Sequence, residues 1–105
     1  MAVNPDTGLV YVLDRSNDEV LVVSGTERIA TVGVGTLPEF AAANPATGLV
    51  YVVNSQAPSP KLSAVDVLSG TQWLDRVIVG EYAGELVANP ATGYIYVTIR
   101  GAPWD

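Results

Sequence analysis

The pentapeptide Asn-Pro-x-Thr-Gly is written at residues 4–8, 44–48 and 89–93, each time followed by two apolar residues, a tyrosine and a valine. The copies begin 40 and then 45 residues apart, a period that belongs to propeller blades or solenoid units. A chain of 105 residues has room for one small domain with a modest core. Whatever the repeat builds must therefore be most of the structure.

Between the copies, runs rich in Val, Ile, Leu and Tyr alternate with turn residues at short intervals. The first unit reads as strands over 2–4, 9–13, 20–23 and 29–34, and the second over 40–44, 49–53, 62–68 and 73–79. The third holds 86–89 and 94–99. None is long enough for a 10-residue helix, and their β-branched content settles them as strands. The pentapeptide falls between the first and second strand of each unit. There the asparagine side chain can accept from its own backbone two residues on, proline presets φ near −65°, and glycine supplies a positive φ. A hairpin turn thus accounts for the phrase ahead of any binding role for Asn4, Asn44 or Asn89.

Composition excludes several classes of activity. Hydrophobic residues make up 49% and charged residues 15% of the chain, too apolar for disorder, while no apolar run approaches the ~18 residues of a membrane span. The formal charge is −6, with Lys61 as the one lysine beside four scattered arginines. No basic stripe exists to hold a phosphate backbone, so neither nucleic acid nor membrane insertion is expected. Histidine and cysteine are both absent. That removes the commonest proton shuttle, the usual zinc ligands and every thiol nucleophile, so no catalytic residue, cofactor or metal is expected. Met1 runs almost at once into the first repeat, leaving no room for an export signal in the sequence as written.

The strings VNPDTGLVYVLD, ANPATGLVYVVN and ANPATGYIYVTI resemble the repeat of the YVTN family of β-propeller proteins, related to the NHL propellers. SGTERIATVGVG and SGTQWLDRVIVG resemble that family's closing hairpin. The resemblance implies an all-β fold, a partial β-propeller of four-stranded antiparallel meander blades: two full blades (1–36 and 37–81) plus two strands of a third (82–105). It also implies a surface or extracellular scaffold, with binding of protein or glycan as its task. The family's asparagine after the YV strand is present as Asn54, becomes Asp14 in the first unit and is Ile99 in the third.

Such propellers close with six or seven blades, and about two and a half are written here. One blade face covers on the order of 300 Å², and two such faces would stand open. Each is the kind of face its neighbour already packs against, so self-association is expected. Covering one contact removes roughly 600 Å² from water, about 9 kcal/mol gross if ~60% is apolar, before association entropy is subtracted. Three blade positions per chain make six in a closed dimer. The alternative is a remnant of a longer propeller, or a fragment of a propeller enzyme such as a lactonase or lyase.

Candidate ligand-binding residues lie in loops and on the outermost strand. All five extra residues of the second unit fall in NSQAPSPK at 54–61, where Asn54, Gln56 and Lys61 give a proline-stiffened loop its polar positions; an ordinary tolerated surface insertion accounts for the loop ahead of a recognition role. Glu39 and Glu85 precede or enter the innermost strands as possible channel-mouth carboxylates, one position out of register with each other. Trp73, on the outermost strand, offers a stacking surface. Asp14, Asp18 and Glu19 form an acidic turn without the spacing of a calcium loop, which reads as solvated.

Overall fold

The computed structural model describes residues 2–4, 7–54, 63–80 and 83–99. Ten strands run in order: β1 (Ala2–Asn4), β2 (Leu9–Asp14), β3 (Glu19–Ser24), β4 (Glu27–Gly33), β5 (Pro38–Asn44), β6 (Leu49–Asn54), β7 (Ser63–Ser69), β8 (Gln72–Gly80), β9 (Ala83–Ala88) and β10 (Ile95–Ile99). They make three separate sheets, β1-β2-β3-β4, β5-β6-β7-β8 and β9-β10, each strand antiparallel to the one before it in sequence. No helix occurs among the described residues. The fold is the partial propeller expected: two four-stranded blades and two strands of a third.

The boundaries differ most at β9, which starts at Ala83 and ends before Asn89. A bulge lets Ala83 pair with Ile99 after Leu86 has paired with Val97, so the strand reaches further back than its apolar run. Asn89 belongs to the turn instead.

That turn is built the same way three times. The amide of Gly8, Gly48 or Gly93 donates to the carbonyl of Asn4, Asn44 or Asn89 at 2.8 Å, and each glycine sits at φ 76–78°, a region that costs an L side chain strain. Asn44 and Asn89 accept from the amides of Ala46 and Ala91 through Oδ1, both at 3.0 Å. The threonine has a task that turn statistics alone do not suggest. Its Oγ1 accepts the amide two residues on, Leu9, Leu49 or Tyr94, at 3.2–3.3 Å, which ties the turn to the first residues of the next strand.

The closing hairpins of the two blades are superposable residue by residue. Val20↔Val32, Leu21↔Thr31 and Val23↔Arg28 in blade 1 correspond to Val65↔Val77, Asp66↔Arg76 and Leu68↔Trp73 in blade 2. Each ladder carries a bulge at the same place, after Val22 and after Val67. The blades then stack face to face. Tyr11, Val20, Val22 and Val32 of blade 1 share a core with Val50, Val52 and Leu68 of blade 2, and the outward face of blade 2 shares a second one with β9 and β10 through Val53, Val65, Ala83 and Leu86.

A tyrosine hydroxyl reaches across the first interface: Tyr11 Oη donates to the Gly70 carbonyl at the tip of the β7–β8 hairpin, 3.0 Å. Burial raises the pKa of this phenol, so it remains a donor at neutral pH. Tyr11→Phe is expected to cost about 1 kcal/mol, read as a lowered urea midpoint. Tyr51→Phe, at the equivalent position in blade 2, should leave the midpoint where it was.

The crossing from blade 1 to blade 2 is pinned by two aspartates. Asp18 accepts Val34 N on its carbonyl and Leu37 N on Oδ1, both at 3.0 Å, and Asp66 Oδ2 accepts Gly35 N at 3.0 Å. Asp18 and Leu37 adopt left-handed backbone, φ 56° and 55°; for leucine that is strained, and these bonds hold it there. Ser63 stands where Asp18 stands in blade 1, and its Oγ accepts Ala83 N at 3.0 Å. The residue that leads into each third strand thus clasps the entrance to the next sheet. The reading of Asp18 as a solvated acidic residue is corrected accordingly: it is half-buried and structural. Asp14 caps its own turn by accepting from Ser16 N, Asn17 N and Asn17 Nδ2.

Candidate functional site

The tyrosine of the repeat marks how completely each face is covered. Tyr11 is 1% exposed, Tyr51 is half-buried, and Tyr96 is 55% exposed. The chemistry is identical at all three places, so the difference lies in what packs on top. Blade 1 is covered by a four-stranded sheet; blade 2 is covered by β9 and β10 alone among the described residues.

The uncovered outer half of blade 2 forms an apolar groove of about 260 Å³. Its floor is Tyr51, Val65, Val67, Val77 and Val79, from β6, β7 and β8. Ile95 and Val97 of β10 make the inner wall. Val77 is 52% exposed whereas its blade 1 equivalent, Val32, is 6% exposed. The contrast shows that this surface has the composition of an interface and lacks the cover of one.

Behind the groove floor, on the opposite face of blade 2, lies an ion pair between a buried carboxylate and a partly exposed guanidinium. Arg76 Nε donates to Asp66 Oδ1 at 2.7 Å and Nη2 donates to Oδ2 at 3.2 Å. Asp66 is fully buried, and its hydrogen bond holds the Arg76 pKa above the ordinary arginine value, with burial opposing and charge assisting. The guanidinium also lies 5.9 Å from the centre of the Trp73 ring, within cation–π range. Sequence reading missed this pair. Its signal was a single acidic residue inside an otherwise apolar strand, Ser63–Ser69.

The candidate residues are scattered. Glu85 is exposed and lines a cleft of about 320 Å³ with Phe40, Gly84 and Thr98. Glu39 is half-buried at the bulge between Pro38 and Phe40 and does not line that cleft, so the two carboxylates do not form a dyad there. Asn54 is 0% exposed at the end of β6, with neither side-chain polar atom hydrogen-bonded among the described residues. Trp73 is 45% exposed on β8, its ring engaged by Arg76. Gln56 and Lys61 lie outside the described residues. Among the described residues no three carboxylates gather in a way that would hold a metal ion.

No family model matches the chain, and no curated protein matches it. Among solved structures it is similar to a chain of hydrazine synthase from Kuenenia stuttgartiensis, a β-propeller-containing protein, with 22% identity and a TM-score of 0.83. The likeness takes in 99% of this chain and 29% of that one, so the present chain spans less than a third of the length of the chain it matches. At this identity the likeness carries architecture and not activity. Architecture and repeat agree: the chain is a partial β-propeller.

Proposed function

We propose that the chain is a non-catalytic propeller repeat module of the YVTN type, related to the NHL propellers, which binds protein or glycan and self-associates through its blade faces. The observation that carries this reading is the equivalence between the exposed faces and the buried ones. On blade 1 the bare face presents Val3 and Ile29; on the β9–β10 sheet it presents Val87 and Tyr96. Val3 occupies the position of Ala43, and Tyr96 that of Tyr11, two residues packed between blades 1 and 2. Each bare face is therefore a repeat of a surface already used for blade-to-blade packing, and a head-to-tail contact between copies joins one to the other.

Light scattering across a concentration series tests this. A closed dimer is the expected species, and Val87→Lys, at a position 61% exposed, should return it to monomer while its circular dichroism stays that of a folded sheet and its thermal midpoint no longer rises with concentration. A wild-type chain that stays monomeric throughout the series overturns the self-association.

A further inference from the structure

We infer that the outer rim of the seam between blades 1 and 2 binds a neutral oligosaccharide, with Trp73 and Ile78 taking the apolar faces of its rings and the outward N–H groups of Arg76 donating to its hydroxyls. This names the ligand class for the binding module proposed above and rests on that reading. The rim lies apart from the bare faces assigned to self-association.

Four departures of blade 2 from blade 1 gather on one face. The matched registers put Asp66, Trp73, Arg76 and Ile78 where blade 1 has Leu21, Arg28, Thr31 and Gly33. Cross-strand partners stand on the same side of a sheet, so Arg76 shares a side with Asp66, Trp73 with Leu68, and Ile78 with Ala64. This is the side turned to blade 1, because Asp66 holds the Gly35 amide and Leu68 enters the blade 1 core. A four-stranded sheet already lies against it, yet Trp73 stays 45% and Ile78 55% exposed. The clasp on Gly35 accounts for Asp66 and its arginine. It does not account for a tryptophan and an isoleucine left open beside them.

The arginine is arranged as a set of donors rather than as a free charge. Asp66 accepts from Nε and Nη2 at 2.7 and 3.2 Å, which fixes the plane of the fork and cancels its charge. Two of the five N–H groups of a guanidinium are spent in this way, and no acceptor among the described residues takes the rest. Its central carbon stands 5.9 Å from the middle of the Trp73 ring, beyond the ~4 Å of carbon atoms in contact, so the ring is not capped flush. Ile78 follows about 7 Å farther along the strand. Indole, donors and aliphatic side chain make a shallow row longer than one sugar ring.

Charge selects the occupant. With Asp66 paired to Arg76 the cluster is neutral, exposed Asp75 is its neighbour in sequence, and the chain carries −6 overall. An acidic peptide or acidic polysaccharide would lose hydration there without a net charge to meet it. A purely apolar segment would cover the guanidinium and strand its unspent donors. Neutral pyranose rings carry hydroxyl acceptors beside C–H faces, which satisfies the arginine and the indole together.

The test uses a chain with Trp104→Phe, which leaves Trp73 as its one tryptophan. Its probes are neutral oligosaccharides of glucose, mannose and galactose, with oligogalacturonate and a polyglutamate peptide as acidic counterparts. At least one neutral probe should shift the Trp73 emission to saturation. By calorimetry, Trp73→Ala should weaken that binding about tenfold, the worth of a strong ring contact, and Ile78→Ser about threefold. Arg76→Lys keeps the charge but gives up the planar fork, and should cost about fivefold, near one hydrogen bond. No saturable response to any neutral probe, in a protein whose circular dichroism is that of a folded sheet, overturns the site. Equal binding by Trp73→Ala overturns it too, as does binding of the acidic probes alone, since the guanidinium would then act as a charge. A protein that dimerises yet ignores every probe refutes this site and leaves self-association standing, whereas a monomer that binds a neutral probe does the reverse.

Discussion

Arg76→Thr is expected to lower unfolding stability by about 3 kcal/mol, near the lower end of the range for breaking a buried ion pair from one side. The carboxylate of Asp66 is 0% exposed, and after the substitution the partner left to it among the described residues is the amide of Gly35. The Arg76 side chain is 34% exposed, so water enters part of the space it leaves, which holds the loss to the lower end. Asp66→Leu should cost less, about 1–2 kcal/mol. It frees a cation that can turn to solvent and orphans one buried amide. The double variant, Leu at 66 with Thr at 76, recreates the pair that blade 1 uses at Leu21 and Thr31 and should lie close to Asp66→Leu alone. Urea unfolding of the four proteins measures the cycle. If Arg76→Thr proves no worse than Asp66→Leu, the pair is not what holds the blade 1–blade 2 crossing to β7.

Leu68→Ala is expected to cost about 3 kcal/mol. Leu68 is fully buried, sits on blade 2, and belongs to the core of blade 1. Truncation removes transfer energy and leaves a cavity between two sheets whose backbone ladders resist collapse. The equivalent residue on the uncovered face, Val23, is half-buried, so Val23→Ala should cost under about 1 kcal/mol. Urea midpoints for the two variants give the comparison directly. Equal losses would mean that burial between blades adds nothing to burial within one.

The meander was readable because its determinants are local. Asn44, Thr47 and Gly48 act on amides within a few residues, and they recur three times, so each turn confirms the others. Alternating valines in β3, β6 and β7 need only a neighbour in sequence to pair with. The Asp66–Arg76 pair was not readable for the opposite reason. Which residue faces Asp66 depends on a register set by the hairpin turn and by the bulge after Val67, and only a ladder resolved residue by residue places Arg76 opposite. Asp18 was misread because its partner, Leu37 N, lies nineteen residues on, in the connection that enters the next sheet. Glu39 and Glu85 are one position out of register in the repeat itself, so that Glu39 falls at the bulge between Pro38 and Phe40 while Glu85 lines the cleft beside Thr98. The groove itself left no mark in the sequence: Tyr51 and Val77 look like Tyr11 and Val32, and only the number of strands in the sheet stacked above them differs among the described residues.

Every hydrogen-bonded ladder among the described residues joins strands adjacent in sequence, while the sheets meet one another through side chains and a few clasps. Loop closure is therefore cheap within a sheet, and docking of preformed sheets is the step that fixes the folding rate. Cooperativity then resides in the contacts between blades, as in a one-dimensional array of coupled units. Weakening one such contact uncouples the units, and the single unfolding transition separates into two.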